Sequence, residues 1–145
     1  MPQVEPLEAT LPIVFECQRL LPDSGGAGTW RGGLGVETKI RVLQDTEFAL
    51  RAERVKFPPK GREGGHDGVA GTQRAIDLEG GERSLPPKAA NQRLAAGETL
   101  VLTTSGGGGL GDPAARPPEQ LEQDRREGFV TERGAREEYG GGGRS

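Results

Sequence analysis

The chain has 145 residues, enough for one modest domain, and its 25 glycines and 11 prolines make up a quarter of it. Leu, Ile, Val and Phe contribute only a fifth, which excludes a long membrane span, a coiled coil and a rich self-sufficient core. With 19 basic and 22 acidic residues and a net charge of −3, the chain has no general attraction for nucleic acid, and we expect neither a nucleic-acid nor a membrane partner. The composition favours a glycine-rich, loop-heavy domain that relies on a protein partner.

Residues 1–11 are predicted to be a leader rather than a signal peptide, because no apolar run follows the N-terminus. Prolines and glutamates interrupt it at Pro2, Glu5, Pro6 and Glu8. A cytoplasmic location is therefore the expectation. The single cysteine, Cys17, cannot form an internal disulfide, and the single histidine, His66, cannot supply a cage of several histidines for a metal.

The pattern of the next hundred residues predicts short strands. Residues 13–17 are rich in β-formers and precede a Pro-Asp-Ser-Gly-Gly turn. Residues 36–43 and 46–53 alternate apolar and polar side chains, which is typical of half-buried strands, and the two runs are predicted to pair as an antiparallel hairpin. Two further strands are predicted at 75–78 and 99–104.

The composition changes after residue 117, where two charged runs favour helix. The first covers 119–127 and stops at Gly128, and the second covers 132–139 after Thr131. Val130 and Tyr139, together with Phe129, are candidates to hold this helical pair against the rest of the fold. The predicted fold is mainly β, with glycine-loop-rich strands over 12–113, a helical tail over 114–140 with a short C-terminal helical pair, and a flexible terminus over 141–145.

Segment 57–71 holds five glycines and two prolines, which forbid a regular helix or a central strand. A loop of this length inside a small domain is usually either functional or disordered. It carries Lys60 and Arg62 at the end of a basic run that also includes Arg51, Arg54 and Lys56. The run could meet an acidic substrate or the carboxylates of a partner, or it could be a solvated strand edge that blocks strand addition.

Segment 106–111 formally matches the dinucleotide fingerprint through Gly106, Gly108 and Gly111. The fingerprint also requires a long helix that begins at the last glycine, and here Asp112 and Pro113 follow instead. No Gly-Lys-Ser or Gly-Lys-Thr occurs, so a Walker-type ATP site is not predicted, and we expect no cofactor on this chain. It favours a tight turn that another backbone approaches closely.

Segment 23–35 concentrates six glycines around the polar residues Asp23, Ser24 and Arg31. Successive backbone N–H groups could form an anion-binding nest there, to which Arg31 would add its planar fork. The favoured alternative is a buried structural loop in which Asp23 accepts backbone hydrogen bonds and pairs with Arg31. Both readings make these residues, with Lys60 and Arg62, the candidate substrate or interface loops.

No catalytic residue is predicted. Ser24, His66 and an aspartate lack the spacing of any known triad, and no Gly-x-Ser-x-Gly elbow is present. No metal site is predicted either. The possible ligands lack the closely spaced pairs that mark zinc sites, and they are Cys17, His66, Asp67 and Asp112.

Three ordered blocks carry a resemblance to a known family. They are Leu-Pro-Asp-Ser-Gly-Gly-Ala-Gly with Arg-Gly-Gly-Leu-Gly over 21–35, Phe-Pro-Pro-Lys-Gly with further glycines over 57–68, and Gly-Gly-Gly-Gly-Leu-Gly-Asp-Pro over 106–113. A charged tail that ends Ala-Arg-Glu-Glu-Tyr-Gly completes the pattern. Together these blocks resemble the C-terminal part of the hydantoinase B/oxoprolinase family over nearly the whole chain.

That family comprises ATP-dependent lactam hydrolases and biotin-independent ketone carboxylases, and its members are several-fold longer. The initial methionine and the short leader favour a separate small subunit, which looks most like the aromatic ketone carboxylase branch exemplified by acetophenone carboxylase. The resemblance then implies large hydantoinase A-like and hydantoinase B-like partner subunits in a hetero-oligomer, with ATP and a divalent metal (Mg or Mn) on those partners and no biotin. Phosphorylation of bicarbonate and of the enol of the ketone, followed by carbon–carbon bond formation, is the implied chemistry.

Two alternatives stay open at this stage. The chain could be a subunit or fragment of an ATP-dependent hydantoinase or oxoprolinase, or it could be an independent structural binding module. In the favoured reading the isolated chain is inactive and marginally stable, because its core is thin and ordering glycine is costly, by about 0.5–1 kcal/mol each in regular elements.

Overall fold

Seven β-strands and three α-helices form between residues 4 and 140, the part of the chain that this computed structural model describes. The helices are α1 (Val4–Thr10), α2 (Pro118–Arg126) and α3 (Glu132–Tyr139). The strands are β1 (Ile13–Leu20), β2 (Val36–Val42), β3 (Thr46–Arg51), β4 (Thr72–Ile76), β5 (Glu82–Ser84), β6 (Lys88–Leu94) and β7 (Thr99–Thr103). The prediction of a mainly β chain with two short helices at its C-terminal end is confirmed.

The chain divides into two compact units that alternate along the sequence. Among the described residues, unit 1 contains 4–19 together with Glu37–Glu53 and Thr72–Thr103. Unit 2 contains Leu20–Val36, Arg54–Gly71 and 104–140. The sequence-based division into 1–11, 12–113 and 114–140 follows the chain instead, and the predicted flexible terminus at 141–145 lies outside the described residues.

Unit 1 is built on a five-stranded sheet with the strand order β1-β2-β7-β4-β5 and a separate two-stranded sheet of β3 and β6. The pairs β2–β7, β4–β7 and β4–β5 are antiparallel, so that Leu100 of β7 lies between Ile40 of β2 and Ala75 of β4. The buried core of this unit consists of aliphatic side chains from both sheets and their connections. They are Val42, Leu50, Ala75, Leu85, Leu94 and Leu100.

The predicted hairpin between 36–43 and 46–53 is wrong, although both runs are strands. β2 pairs with β1 and β7, whereas β3 pairs with β6 in the other sheet. The connection at Gln44 and Asp45 lacks the glycine that the tight two-residue hairpin turns require, so nothing local forces the two strands together. β5 and β6 were not predicted, because their sequences are polar and their apolar and polar residues do not alternate regularly.

Segment 57–71, predicted to lack regular structure, forms no helix and no strand. Its backbone contains two turn residues with left-handed φ, Glu63 at 51° and Gly64 at 89°. The N–H of Gly65 donates to the carbonyl oxygen of Arg62 at 2.9 Å, which closes the turn. The segment therefore runs out and back, and all of it belongs to unit 2.

The two C-terminal helices belong to unit 2 and begin and end close to the predicted residues. Pro118 is the first residue of α2, a position where the backbone N–H that proline lacks would have no partner within the helix. Thr131 caps α3, since its hydroxyl oxygen accepts a hydrogen bond from the N–H of Gly134 at 3.0 Å. Gly140 ends α3 with a left-handed φ of 65°. The small core of this unit comes from segment 23–35, from α3 and from the connection between α2 and α3. It consists of Ala27, Val130, Ala135 and Tyr139, and the partly buried Leu121 of α2 packs against it.

Candidate functional site

Segment 106–111 is the centre of unit 2, and it is held there by backbone atoms rather than by side chains. A Cβ at Gly106 would lie 1.8 Å from the carbonyl oxygen of Ser24, and one at Gly108 would lie 2.2 Å from that of Lys60. A Cβ at Gly109 would lie 2.1 Å from the carbonyl oxygen of Ala27. Only glycine, which has no Cβ, lets neighbouring backbone come this close from several sides. We call segment 106–111 the packing axis of unit 2, because the other segments pack around it.

The amide groups of segment 106–111 are used inside the protein. Five of the six donate to carbonyl oxygens of the neighbouring segments, at distances between 2.8 and 3.0 Å. The acceptors are the carbonyl oxygens of Val69, Gly33, His66, Trp30 and Arg62. A phosphate is bound through free backbone N–H groups, and five of the six here already donate within the protein, so this glycine run does not fit a nucleotide.

Ser24 is only 1% exposed, and its hydroxyl both donates and accepts a hydrogen bond within the protein. The Oγ atom donates to the carbonyl oxygen of Leu21 at 2.6 Å and accepts from the N–H of Gly35 at 2.8 Å. This pair of bonds closes segment 23–35 on itself. A nucleophilic hydroxyl needs a base within reach and access to a substrate, and Ser24 has neither among the described residues.

Asp23 lies at the N-terminus of α3 rather than beside Arg31. Its carboxylate accepts the N–H of Thr131 at 2.9 Å and the hydroxyl of the same residue at 2.6 Å. Its own N–H donates to the carbonyl oxygen of Phe129 at 3.0 Å, and its φ of 58° lies in the left-handed region that Asp tolerates better than most residues. The expected backbone hydrogen bond is present, but its donor is Thr131 and the expected pair with Arg31 is not made.

Arg31 instead belongs to a buried ionic cluster with Asp124 of α2 and Arg116. The carboxylate of Asp124 lies 2.6 Å from Nη2 of Arg116 and 3.3 Å from Nε of Arg31. Arg31 also donates to the carbonyl oxygen of Gly32 at 2.8 Å, and its guanidinium lies 5.3 Å from the ring centre of Phe129. Arg116 completes the cluster by donating to the carbonyl oxygen of Thr29 at 3.0 Å.

This cluster contains two cations and one anion, and both Arg116 and Asp124 expose only 8 % of their side chains. Attraction between such charges is strong where water is excluded, and each guanidinium also bonds a backbone carbonyl, which offsets part of its desolvation. The arrangement ties segment 23–35 to α2. Sequence reasoning missed Asp124 and Arg116, because a carboxylate in a charged helix and an arginine between small residues give no signal of burial.

Tyr139, at the end of α3, lies close enough to this cluster to feel its charges. Burial raises the pKa of its hydroxyl, and the Arg116 guanidinium offsets part of that effect. The hydroxyl is buried with no hydrogen-bond partner among residues 4–140. A neutral, buried phenol beside two arginines is therefore part of the core of unit 2.

Lys60 and Arg62, the second candidate pair, are both exposed in segment 57–71. Nζ of Lys60 lies 2.6 Å from Oδ2 of Asp67, and the N–H of Gly61 donates to Oδ1 at 3.0 Å. The hydrogen bond from Lys60 lowers the pKa of the Asp67 carboxyl, and the bond from Gly61 lowers it further. The side chain of Arg62 has no ion pair or hydrogen bond to any residue that the structure describes.

His66 connects the same segment to α3. Its Nδ1 lies 2.5 Å from Oε2 of Glu138, and each side chain is about half exposed. The N–H of His66 donates to the carbonyl oxygen of Ala27, and its own carbonyl oxygen accepts from Gly109. His66 is thus a structural link within unit 2.

The other possible metal ligands are not gathered either. Asp112 accepts the N–H of Ala114 and caps a single 3-10 turn at Pro113–Ala115. Between residues 4 and 140, no three His, Cys, Asp or Glu side chains come closely enough together to hold a metal ion. Over the same residues, no helix has both the length and the apolar character needed to cross a membrane.

Comparisons with known proteins agree with the resemblance of the three glycine blocks. The family model for hydantoinase B/oxoprolinase matches residues 1–113. The B subunit of a putative D-/L-hydantoinase from Pseudomonas sp. (strain NS671) is 34% identical over 138 residues, which cover 94% of this chain and 23% of that protein. The beta subunit of the caprolactamase of Pseudomonas jessenii is 33% identical over 144 residues, with 94% and 24% covered.

Two solved structures have the same fold as this chain. The crystal structure of the ATP-dependent caprolactamase from Pseudomonas jessenii superposes with a TM-score of 0.80 at 28% identity, over 98% of this chain and 26% of that one. Nucleotide-free acetone carboxylase shares the fold, with a TM-score of 0.76 at 23% identity over 97% of this chain and 23% of that one. The chain spans about a quarter of the length of these two curated relatives. The match of the family model to most of the sequence shows that this chain belongs to the hydantoinase B/oxoprolinase family.

Proposed function

We propose that this chain is a non-catalytic part of an ATP-dependent enzyme of the hydantoinase B type, in which it completes and stabilises the large hydantoinase B-like body. Its partners in this proposal are large hydantoinase A-like and hydantoinase B-like subunits in a hetero-oligomer. The relatives support it, because two of them are described as subunits and the chain spans about a quarter of each.

One observation carries the proposal: the polar side chains of segment 23–35 are engaged inside unit 2. Ser24 uses its hydroxyl to close a loop, Asp23 holds the start of α3, and Arg31 is paired with Asp124. Groups that bind a substrate must be able to exchange their partners for it, and these groups are buried or already bonded. The arrangement is that of a scaffold, and it supports a role in holding a larger body together.

ATP and a divalent metal are proposed for the partner subunits and not for this chain. The glycine run at 106–111 supports this placement, since five of its six amides donate to carbonyl oxygens of the same unit. The chain also has no Gly-Lys-Ser or Gly-Lys-Thr. We propose no biotin on any subunit.

Two reactions are candidates for the assembled enzyme. The first candidate is carboxylation of a ketone, and more specifically of an aromatic ketone. It follows from the resemblance of the three sequence blocks to the ketone carboxylase branch of the family. Hydrolysis of a cyclic amide or imide is the second candidate, and the relatives described as hydantoinase and caprolactamase subunits support it. Both reactions act on a carbonyl group, and both need a closed site from which water is excluded or admitted under control.

The test is purification of the tagged full chain from its source organism, followed by assays of the material that co-purifies. We expect large subunits at a fixed ratio, ATP-dependent turnover by the complex and none by the chain alone. Ketone consumption that requires bicarbonate identifies the carboxylase, whereas ring opening without bicarbonate identifies the hydrolase. If no large subunit co-purifies and the chain is recovered alone as a stable, monodisperse species, the proposal is contradicted and an independent binding module is favoured.

A further inference from the structure

Trp30, Leu110 and Arg62 form a short row on the surface of unit 2. Trp30 and Leu110 exchange two backbone hydrogen bonds of 2.9 Å each, as a directly opposed antiparallel pair does. On the other side of Leu110, the N–H of Arg62 donates to Gly109 at 2.9 Å and its carbonyl oxygen accepts from Gly111 at 3.0 Å. Residues that face one another across such bridges place their side chains on the same face.

All three side chains of this row are exposed. Trp30, the only tryptophan of the chain, exposes 61% of its surface, and Leu110 exposes 39%. The side chain of Arg62 next to them has no ionic or hydrogen-bonding partner within residues 4–140. A chain that buries so few large apolar residues would gain from covering its one indole, because burial of an aromatic side chain is worth far more than that of a small one.

We propose that the Trp30–Leu110–Arg62 row is the surface on which the rest of the hydantoinase B-like body docks. The inference rests on the proposed function and names the contact that it requires. The occupant is the part of the fold that the relatives carry and this chain does not span, about three quarters of their length. It presents an apolar pocket to Trp30 and Leu110 and a carboxylate to Arg62.

The chemistry of the row matches this occupant. Tryptophan and arginine are the residues that most often dominate a protein–protein interface, where they insert into well-packed pockets of the partner. Arg62 lies beside the apolar pair and presents a planar fork that can bind a carboxylate through two parallel hydrogen bonds. The backbone bridges hold the three residues in place before docking, which lowers the ordering cost of association.

The row also includes a residue of segment 106–111, whose glycines pack closely against neighbouring backbone. Leu110 is the one residue with a side chain in segment 106–111, whose glycines are in close contact with neighbouring backbone. Its N–H and carbonyl oxygen both bond Trp30. A partner that binds this row would therefore contact unit 2 at its packing axis.

Trp30 supplies a direct readout, because all tryptophan fluorescence of this chain comes from it. We would co-express the tagged full chain with the large hydantoinase B-like subunit of the same organism, in a variant of that subunit whose tryptophans are replaced by phenylalanine. In the complex we expect a blue shift of the Trp30 emission and protection from acrylamide quenching. Trp30→Ala and Arg62→Glu should each weaken the complex by at least about tenfold, while Arg62→Lys should weaken it less.

The matched controls are Leu78→Ala and Arg126→Glu. Leu78 lies in unit 1 and is 73% exposed, and Arg126 lies in α2 with 77% of its side chain exposed. Circular dichroism of each variant shows that the fold is retained. If the wild-type complex does not form, the proposed function fails. The complex could instead form while acrylamide quenches Trp30 as strongly as in the free chain, or the control substitutions could weaken the complex as much as Trp30→Ala and Arg62→Glu do. Either result would show that the row is not the docking surface and would leave the proposed function intact. Concentration-dependent protection of Trp30 in the chain alone would assign the row to a second copy and overturn it as well.

Discussion

The carboxylate of Asp23 accepts two hydrogen bonds from Thr131, one from the backbone N–H at 2.9 Å and one from the hydroxyl at 2.6 Å. Thr131 is the N-cap of α3, and its hydroxyl oxygen accepts the N–H of Gly134 in turn. A Cβ at Gly134 would lie 2.3 Å from Oδ1 of Asp23. The start of a C-terminal helix is thus held by a carboxylate more than a hundred residues earlier in the chain.

The first prediction is that Asp23→Ala destabilises the protein by about 1–3 kcal/mol, because hydrogen bonds to a charged group are lost at a helix N-terminus. Asp23→Asn should cost less than Asp23→Ala, since Asn tolerates the left-handed φ and keeps one oxygen acceptor. Urea unfolding followed by circular dichroism measures both. Equal stability of Asp23→Ala and the wild type would show that this contact does not hold α3.

The second prediction compares two glycines of the same unit. Gly108→Ala should lower the free energy of unfolding by at least about 3 kcal/mol or prevent folding, because its Cβ would lie 2.2 Å from a backbone oxygen that cannot move aside. Gly33→Ala is the control, since a Cβ there would meet nothing within 4 Å, and we expect a change within about 0.5 kcal/mol. Thermal unfolding of the two variants side by side decides the matter. Similar losses in both would mean that close backbone packing is not the reason for the glycines.

The third prediction concerns the only anion of the buried ionic cluster. Asp124→Asn leaves Arg31 and Arg116 without a counter-charge, and removal of one partner of a buried ion pair costs about 3–5 kcal/mol. Glu119→Gln on the same helix is the control, and its effect should stay below about 1 kcal/mol, as is usual for a charge in the first turn. Chemical denaturation of both variants provides the comparison. An Asp124→Asn protein as stable as the control would show that the cluster does not stabilise unit 2.

The fourth prediction separates a structural Arg31 from one that touches substrate. Arg31→Lys keeps the charge, but it loses the fork that bonds both Asp124 and the carbonyl oxygen of Gly32. A structural Arg31 should give less of the assembled complex, with normal specific activity in what does assemble. Normal assembly combined with strongly reduced turnover would place Arg31 at the reacting centre and would contradict the scaffold role.

The fifth prediction is an alkaline transition that depends on Tyr139. Burial raises the pKa of its hydroxyl above the ordinary value of about 10. The neutral form is therefore favoured in the folded protein. As the pH rises above the unfolded pKa, the unfolded chain releases this proton more readily than the folded one, and the free energy of unfolding falls until the folded pKa is passed. Tyr139 is the only tyrosine of the chain, so tyrosinate absorbance reports it alone.

Tyr139→Phe is the matched variant. It removes a hydroxyl that has no hydrogen-bond partner among residues 4–140, so stability at neutral pH should change by less than about 1 kcal/mol, and the loss of stability above about pH 10 should become shallower. A tyrosinate titration of the wild type at the ordinary value would show that the hydroxyl is solvated.

Local sequence signals predicted most of the elements correctly. Alternation identified β2 and β3, and the charged runs with Gly128 and Thr131 placed α2 and α3 within one residue of their observed ends. These signals succeed because capping and side-chain periodicity depend only on near neighbours. The same reasoning assigned the wrong partner to β2, because strand pairing depends on residues that are distant in sequence and no turn residue restricts the choice.

For the candidate residues, the sequence marked the segment that contains Asp23, Ser24 and Arg31, whereas what these residues contact depends on the folded chain. The density of glycine around Asp23, Ser24 and Arg31 marked an unusual loop, and the glycine run at 106–111 predicted close approach of another backbone, as the carbonyl oxygens around it show. No local pattern could show that Arg31 pairs with Asp124 or that Asp23 holds Thr131, since each pair spans about ninety residues or more. Charge attraction acts through space once the chain has folded, whereas the conformational freedom of glycine is a property of the residue itself.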